Sequence, residues 1–417
     1  MRNALGTELR RSPLAWLSVP LSAIALVMLL ADRRSWELIW PQASARAASV
    51  AVIVSGVVAA AAAAWSAQRV HRGGTGEQLS GAARPRWQIE ALHLFGTLCH
   101  TVAPLLFATM TAASITTQKA PSGFLWPGYF LLALAALTFC AAVGHMVGSA
   151  VTSRLAAVAA AGVAFVPLFV LQALAPSYGP ARLEISPIGL GSRIILAAVF
   201  VIAALSIGAN LNTRDRRTPK FRQMILVAAG LTGVATLMFG GPLQRPRLAD
   251  SNPACEQVPN PVNSQQVCLW PENSAYLAIA KEAATRVTEA TAGILPPIDL
   301  LEAGLHTTRE RPAVRYEVHG GENEETFIQA MAFVAIERTF ACRPRDKGEA
   351  KPLVDAGNQL FTWIRSASWK GLGDPQHDPS AMTDADRREV AEVLKKPRPE
   401  QVLWARSKLA VIDDCRR

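Results

Sequence analysis

The chain has 417 residues, which is more than one ordinary domain needs and predicts two or three units. Its net charge of +10 comes from the first part: up to Gly241 there are 19 Lys and Arg against 7 Asp and Glu, whereas from Pro242 onward there are 23 and 25. The basic residues of the first part lie in short segments between apolar runs. This pattern favours membrane insertion and argues against nucleic acid as a partner.

Seven apolar runs are each roughly 18 residues or longer, which is enough to cross the hydrocarbon core as a helix. With the N-terminus in the cytoplasm, the inner segments carry 13 Lys and Arg and the outer loops carry six, so we predict this orientation. With seven crossings, the C-terminal part then lies on the extracytoplasmic side of the membrane. The predicted spans are residues 14–31, 49–67, 92–113, 129–151, 155–176, 194–211 and 224–241.

Several spans are rich in Ala, Gly, Val and Ser, which lets helices approach closely. Residues 144–148 (GHMVG) have the GxxxG spacing, which is typical of a helix contact within one chain or across a dimer. The spans also contain polar side chains that predict interhelical hydrogen bonds or a pore lining, because burying them in lipid is costly. A metal site would need three or four converging ligands, which this spacing does not provide. These polar residues are His93, Cys99, His100, Cys140 and His145.

Three features together resemble the permease subunit of a type 2 ATP-binding-cassette transporter of the actinobacterial kind. They are ELRRSPLAW before the first span, SGAARPRWQIEALHL entering the third, and six helices of small residues, over residues 1–241 in all. The resemblance implies an N-terminal elbow helix and a coupling helix in the first cytoplasmic loop that docks on a separate ATPase subunit. The implied elbow residues are Glu8, Arg10 and Arg11; the implied coupling residues are Glu77, Arg84, Arg86, Trp87 and Glu90.

The seventh span departs from that family, whose core has six helices. We therefore expect an all-α polytopic membrane protein with a core over residues 1–223, a seventh helix over 224–241 and a mainly helical extracytoplasmic domain over 242–417. The first functional hypothesis is a permease subunit, in a homodimer or with a second permease, that exports a hydrophobic or peptide-like substrate. The alternative is a membrane-anchored sensing or binding module whose C-terminal domain recognises an extracellular ligand.

The C-terminal part begins with a segment rich in Pro, Asn and Gln, residues 242–271, which predicts a linker or a surface loop. Outside the membrane its cysteines can form disulfides, and four cysteines allow three pairings. Closeness in sequence favours Cys255 with Cys268 and Cys342 with Cys415.

Periodicity in the C-terminal part predicts helices over residues 273–294, 325–342, 353–369 and 383–396, and one strand over 312–320. The sequence has no HExxH or GxSxG motif, and its histidines there lack metal-ligand spacing. We therefore expect no enzyme, no cofactor and no metal site. Residues 319–325 (HGGENEE) are compatible with a loop that binds a cation or substrate and with a solvated turn.

Overall fold

The structure is a computed structural model, and it forms two compact units, Met1–Pro246 and Arg247–Arg417. We name them the membrane unit and the C-terminal unit. The structure describes residues 6, 9–10, 12, 14–72, 85–120, 123–151, 153, 155–166, 168, 181–209, 218–247, 253–258, 265–305, 313–333, 337, 347–369 and 384–414.

The membrane unit is helical. Its described residues also form one short antiparallel sheet, made of β1 (Leu183–Ile185) and β2 (Gln244–Pro246). Its helices are α1 (Leu14–Ala31), α2 (Trp40–Arg72), α3 (Arg86–Lys119), α4 (Pro127–Ala150), α5 (Ala156–Phe165), α6 (Pro187–Ala209) and α7 (Thr218–Phe239).

Five of these helices, α1, α2, α3, α4 and α6, are long and apolar enough to cross a membrane. The prediction of a mostly helical, polytopic membrane protein is therefore confirmed. The fifth and seventh predicted spans correspond to shorter described apolar stretches, Ala156–Phe165 and Gln223–Thr236. The number of seven crossings stays a prediction.

Two helices begin well before the apolar runs that predicted them. Helix α2 begins at Trp40 and α3 at Arg86, whereas hydropathy placed these starts at residues 49 and 92. Hydropathy marks only the apolar part of a span, while backbone hydrogen bonding continues the helix into its polar flanks. At its other end α3 is tied to the segment between α1 and α2, since Lys119 Nζ donates to Glu37 Oε1 over 2.8 Å.

The GxxxG sequence packs α4 against α2 within the chain. A Cβ atom on Gly144 would lie 2.0 Å from the carbonyl oxygen of Ala60, and one on Gly148 would lie 2.3 Å from that of Ala64. Only glycine tolerates so close an approach of two backbones. Both alanines are fully buried, and the two helices form the main apolar cluster of the membrane unit.

The C-terminal unit contains a four-stranded sheet in the order β3-β4-β5-β6. Strand β3 is antiparallel to β4, while β4, β5 and β6 run parallel. The strands are β3 (Ala254–Val258), β4 (Gln265–Leu269), β5 (Asp299–Glu302) and β6 (Ala313–Tyr316). A 3₁₀ turn (Pro271–Tyr276) and a helix connect β4 to β5, as a parallel connection requires.

Five described helices belong to the C-terminal unit: α8 (Leu277–Thr291), α9 (Glu324–Ala332), α10 (Lys347–Ser368), α11 (Asp384–Leu394) and α12 (Arg398–Asp414). The four predicted helices correspond to α8, α9, α10 and α11, and the predicted strand contains β6. The prediction of a linker or a surface loop over residues 242–271 was wrong where β2, β3 and β4 lie. Helix α12 was not predicted. Ser274 donates to the Pro271 carbonyl within the 3₁₀ turn that precedes α8.

Candidate functional site

Three of the five predicted coupling residues lie at the start of α3. Pro85 precedes the helix in an extended conformation, and Trp87 in the first turn is 52% exposed. An exposed indole at a helix start is suited to contact another protein, since Trp is enriched at interfaces. Glu77 and Arg84 lie outside the described residues.

The predicted elbow is described only in part. Arg10 is exposed, whereas Glu8 and Arg11 lie outside the described residues. The carbonyl oxygen of Leu9 lies 3.0 Å from Nε2 of His100 on α3. This contact connects the N-terminal segment to α3 and gives His100 a hydrogen-bonding role.

Glu90, the third coupling residue described, lies inside the helix packing. Its side chain is 4% exposed, and its Oε2 lies 3.2 Å from Nε2 of the fully buried His145 on α4. Two further bases of α3 approach the same carboxylate: Nδ1 of His93 is 3.9 Å from Oε2, and Nε of Arg86 is 3.8 Å from Oε1. We name these four residues the Glu90 cluster. A buried carboxylate cannot dock on a soluble partner, so Glu90 does not belong to an exposed coupling surface.

Helix α6 makes room for this carboxylate. A Cβ atom on Gly208 would lie 2.9 Å from Cγ of Glu90 and 3.0 Å from Cδ, so a larger residue there would displace the side chain. An isolated charge in the membrane interior is costly, and the surrounding bases offset that cost. The Glu90 cluster therefore joins α3, α4 and α6 at one point.

Helix α4 also carries one wall of an apolar cavity of about 610 Å³ within the membrane unit. Met146, next to His145 in the chain, lines it together with Phe139 of the same helix. The other lining residues are Val143, Val147, Ala150, Val151, Val163, Val166, Phe200, Leu226, Ala229 and Gly230. All of them are apolar, and the volume is that of a small-molecule pocket, about 300–1,000 Å³. The cavity can hold a hydrocarbon group.

His145 and Cys140, two of the polar residues of the predicted spans, both contact another helix. Interhelical contact is confirmed for His145. Cys140 is fully buried, and its sulfur lies 3.6 Å from where a Cβ on Gly56 of α2 would be. Among the described residues, no three His, Cys, Asp or Glu side chains come together in a group that could hold a metal ion.

In the C-terminal unit the predicted disulfide between Cys255 and Cys268 is confirmed. The two cysteines are directly opposite each other on the antiparallel strands β3 and β4. Cys342 and Cys415 lie outside the described residues, so their pairing stays a prediction.

The carboxyl ends of β4, β5 and β6 meet at one edge of the sheet, because these strands are parallel and Glu302 is opposite Tyr316 in the register. Ligands of open α/β sheets bind outside this edge. The segments that leave the three strands there contain several carboxylates. They are Glu302 at the end of β5, Glu272 after β4, and Glu317 and Glu322 after β6. We name these four residues the edge carboxylates.

Glu302 is held by groups that follow β4. Its Oε2 accepts the backbone N–H of Trp270 over 2.8 Å, and its Oε1 accepts Nδ2 of Asn273 over 2.5 Å. Burial raises the pKa of Glu302 to about 8; these two hydrogen bonds oppose that rise, and the nearby carboxylates of Glu272 and Glu317 add to it. The side chain is therefore mostly neutral at pH 7.

Further contacts hold the segments that carry Glu272 and Glu322. Glu272 accepts Nη1 of Arg247 over 2.7 Å, and Arg247 stacks on the Trp270 ring at 4.8 Å. Glu322 accepts the hydroxyl of Tyr316 over 2.7 Å. The hydroxyl of Tyr276 accepts the N–H of Gly321 over 3.0 Å, which fixes the loop after β6 against the 3₁₀ turn.

A family model described as "Domain of unknown function (DUF7224)" matches residues 267–415. The match thus includes all four edge carboxylates and begins within β4. No curated protein and no solved structure matches the chain.

Sequence reasoning missed both clusters. Glu90 was assigned to a coupling helix that docks on a partner, although its spacing of three from His93 and four from Arg86 puts all three on one helix face. The sheet edge was missed because β4 and β5 have only five and four residues. One available signal was the polar residue directly after each short apolar run: Glu272 after VCLWP and Glu302 after DLL.

Proposed function

We propose that the chain is a permease-like membrane subunit that exports a hydrophobic molecule and is driven by a separate ATPase. The observation that carries this proposal is the double role of α4. His145 of that helix contacts Glu90, which lies one turn from the exposed Trp87, while Met146 lines the apolar cavity. A movement of the start of α3 is therefore transmitted to a cavity wall through one buried contact.

The chemistry of the cavity supports a hydrophobic substrate over a peptide with charged groups. Its described lining offers no charged side chain and no hydrogen-bonding side chain. A charged group would lose its hydration there without replacement, which is costly. The basic inner segments and the resemblance to type 2 permeases support an inner docking surface around Arg84 and Trp87.

The test is co-purification of the ATPase from the native membrane under mild conditions, identified by mass spectrometry. The docking variant combines Arg84→Glu with Trp87→Ala; Arg86 and Glu90 are left intact because they belong to the buried cluster. The control is Phe124→Ala, an aromatic residue that is 69% exposed beyond the opposite end of α3. We expect a stoichiometric ATPase with the wild type and the control, and its loss with the docking variant. Equal recovery with all three proteins, or no ATPase with the wild type, would refute the proposal.

A second candidate function is recognition of an extracytoplasmic ligand by the C-terminal unit. It is favoured by the position of the edge carboxylates at the carboxyl ends of three parallel strands. The test is hydrogen exchange of the full chain with and without a concentrated small-molecule extract of the native culture. Protection confined to residues 265–273, 299–305 and 313–322 is expected. Protection confined to the helices of the membrane unit would count against this function.

A further inference from the structure

We propose that a second cavity of the membrane unit binds a phosphate group, which an anionic membrane lipid supplies. This cavity has a volume of about 430 Å³ and lies between the end of α1, the segment that follows α1 and the end of α3. We name it the polar cavity. Its polar lining residues are Asp32, Arg33, Arg34, Glu37 and Lys119. It shares no lining residue with the apolar cavity, so the inference does not rest on the functions proposed above.

A largely buried carboxylate holds two of the three cations that line the polar cavity. Glu37 has a side chain that is 14% exposed; its Oε2 accepts the N–H of Arg33 Nε over 2.6 Å, and its Oε1 accepts Nζ of Lys119 over 2.8 Å. Each cation uses one donor in these bonds, whereas a lysine has three N–H groups and an arginine has five. Both cationic side chains are exposed, so their remaining donors are available to a ligand.

Arg34 is the third cation, and no group of the described residues neutralises it. Its side chain is exposed and forms no hydrogen bond or ion pair within the part of the chain that the structure describes. The other carboxylate of the lining, Asp32, lies 3.8 Å from Nη2 of Arg46 on α2. Arg34 therefore keeps a complete set of donors for a ligand in the polar cavity.

The balance of charge at the polar cavity favours an anion. With Arg46 included, four cations face two carboxylates, which leaves a net charge of +2. Helices α1 and α3 both end here, and the C-terminus of a helix carries roughly −0.5 of an elementary charge, so about +1 remains. A phosphate ester presents several strong acceptor oxygens on one atom, and arginine binds such a group through two parallel hydrogen bonds. Donors from three cations around one cavity fit this group.

Apolar residues beside the polar cavity favour a lipid as the source of the phosphate. Leu30 and Ala31 line the cavity and end α1, which is apolar enough to cross a membrane. Leu30 is exposed, as are Val27 and Ile24, and the spacing of three places these side chains on one face of α1. Basic pockets between transmembrane helices bind the head groups of anionic lipids. A lipid with its phosphate in the polar cavity would lay an acyl chain along this face, whereas a soluble phosphate ester would gain nothing from it.

The experiment measures lipid binding to the purified full chain in detergent micelles by native mass spectrometry. The probes are phosphatidic acid and phosphatidylglycerol. Phosphatidylcholine with the same acyl chains is the control, because its ammonium group offsets the charge of the phosphate, and glycerol phosphate is the soluble counterpart. We expect at least one anionic lipid to bind more tightly than phosphatidylcholine and more tightly than glycerol phosphate.

Two results of this experiment would contradict the inference. Equal affinity for phosphatidylcholine and both anionic lipids would overturn it, because the net positive charge would then have no role in binding. Glycerol phosphate that binds as tightly as the anionic lipids would overturn the lipid as the source and assign the polar cavity to a soluble phosphate ester.

Two variants locate the site. Arg34→Gln removes a cation that has no described partner, so the variant should unfold at the same temperature as the wild type when lipid is absent. Arg245→Gln is the matched control, since Arg245 is also exposed in the membrane unit but is paired with Glu184 over 2.7 Å. We expect Arg34→Gln to lower the affinity for the anionic lipid about fivefold and Arg245→Gln to change it by less than about twofold. An affinity that Arg34→Gln leaves unchanged, or equal losses with both variants, would refute the location.

Discussion

The close contact of α2 and α4 makes a quantitative prediction for two single-methyl substitutions. In Gly144→Ala the new Cβ would lie 2.0 Å from the Ala60 carbonyl oxygen, and in Gly148→Ala 2.3 Å from that of Ala64. Ordinary contact requires about 3.5 Å, so the helices must separate by about 1 Å or more. Both obstacles are backbone atoms, which cannot rotate away.

The cost has two parts. Overpacking of this kind typically costs about 1–3 kcal/mol. In addition, a gap of 0.5–1 Å removes about a quarter to a half of the energy of each dispersion contact between α2 and α4, the contact that we call the seam. That seam includes the buried alanines at 59, 60, 63 and 64 of α2. We therefore expect each variant to lose about 1–3 kcal/mol of unfolding free energy, measured by titration with a denaturing detergent in mixed micelles.

Gly162→Ala and Gly191→Ala are the matched controls. A Cβ atom on either glycine would meet nothing within 4 Å, although both lie within helices α5 and α6. Replacing such a glycine gains about 0.5–1 kcal/mol of helix stability. The controls should thus be neutral or slightly stabilising. If Gly144→Ala and Gly148→Ala unfold at the same detergent fraction as the controls, the backbones of α2 and α4 do not approach each other as closely as described.

Three further predictions concern the C-terminal unit. Replacing both Cys255 and Cys268 with Ser should cost about 3 kcal/mol, the loop-closure entropy for cysteines 13 residues apart, whereas Cys99→Ser should not alter thermal unfolding of this unit. The pKa of Glu302 rises from its ordinary value of 4.5 to about 8 on folding, so the folded state binds more protons than the unfolded state between these pH values. The free energy of unfolding should therefore fall by up to about 1.4 kcal/mol per pH unit over that window, measured by denaturant titration. A pH slope for the wild type that is no steeper than that of Glu302→Gln would contradict this. Arg398 donates to the carbonyl of Ala290 at the end of α8 and stacks on Trp363 at 5.2 Å, so Arg398→Ala should cost about 1–2 kcal/mol in thermal unfolding. The control Lys351→Ala, whose side chain is 79% exposed beside Asp355, should cost less than about 0.5 kcal/mol.

The sequence predicts the membrane helices well because lipid imposes a simple rule: a long apolar run must satisfy its backbone hydrogen bonds within itself. The run at residues 14–31 coincides with α1 in both bounds. The GxxxG spacing predicts a close helix contact, and closeness in sequence favours the Cys255–Cys268 pair. Only the structure shows that the GxxxG contact lies within the chain, since Ala60 and Gly144 are 84 positions apart.

The candidate sites depend on contacts between distant residues, and the sequence gives little sign of them. Glu90 and His145 are 55 positions apart, and only the packing of α3 on α4 brings them together. Strands β4 and β5 are too short for alternation to stand out, and β5 is buried at all four positions, so its ending carboxylate resembles a loop residue. Helix α12 was missed because its apolar residues do not form one clear face, while its arginines bind the end of α8.

Helix α3 has 34 residues, which corresponds to about 51 Å at 1.5 Å per residue, against a hydrocarbon core of about 30 Å. Glu90 near its start is bound to His145, and Lys119 at its end is bound to Glu37, about 44 Å away along the axis. With the first contact as pivot, a tilt of about 10° would displace Lys119 by about 8 Å, far more than its 2.8 Å bond to Glu37 allows. A tilt of α3 about the first contact therefore breaks the Lys119–Glu37 pair unless the segment between α1 and α2 moves with it.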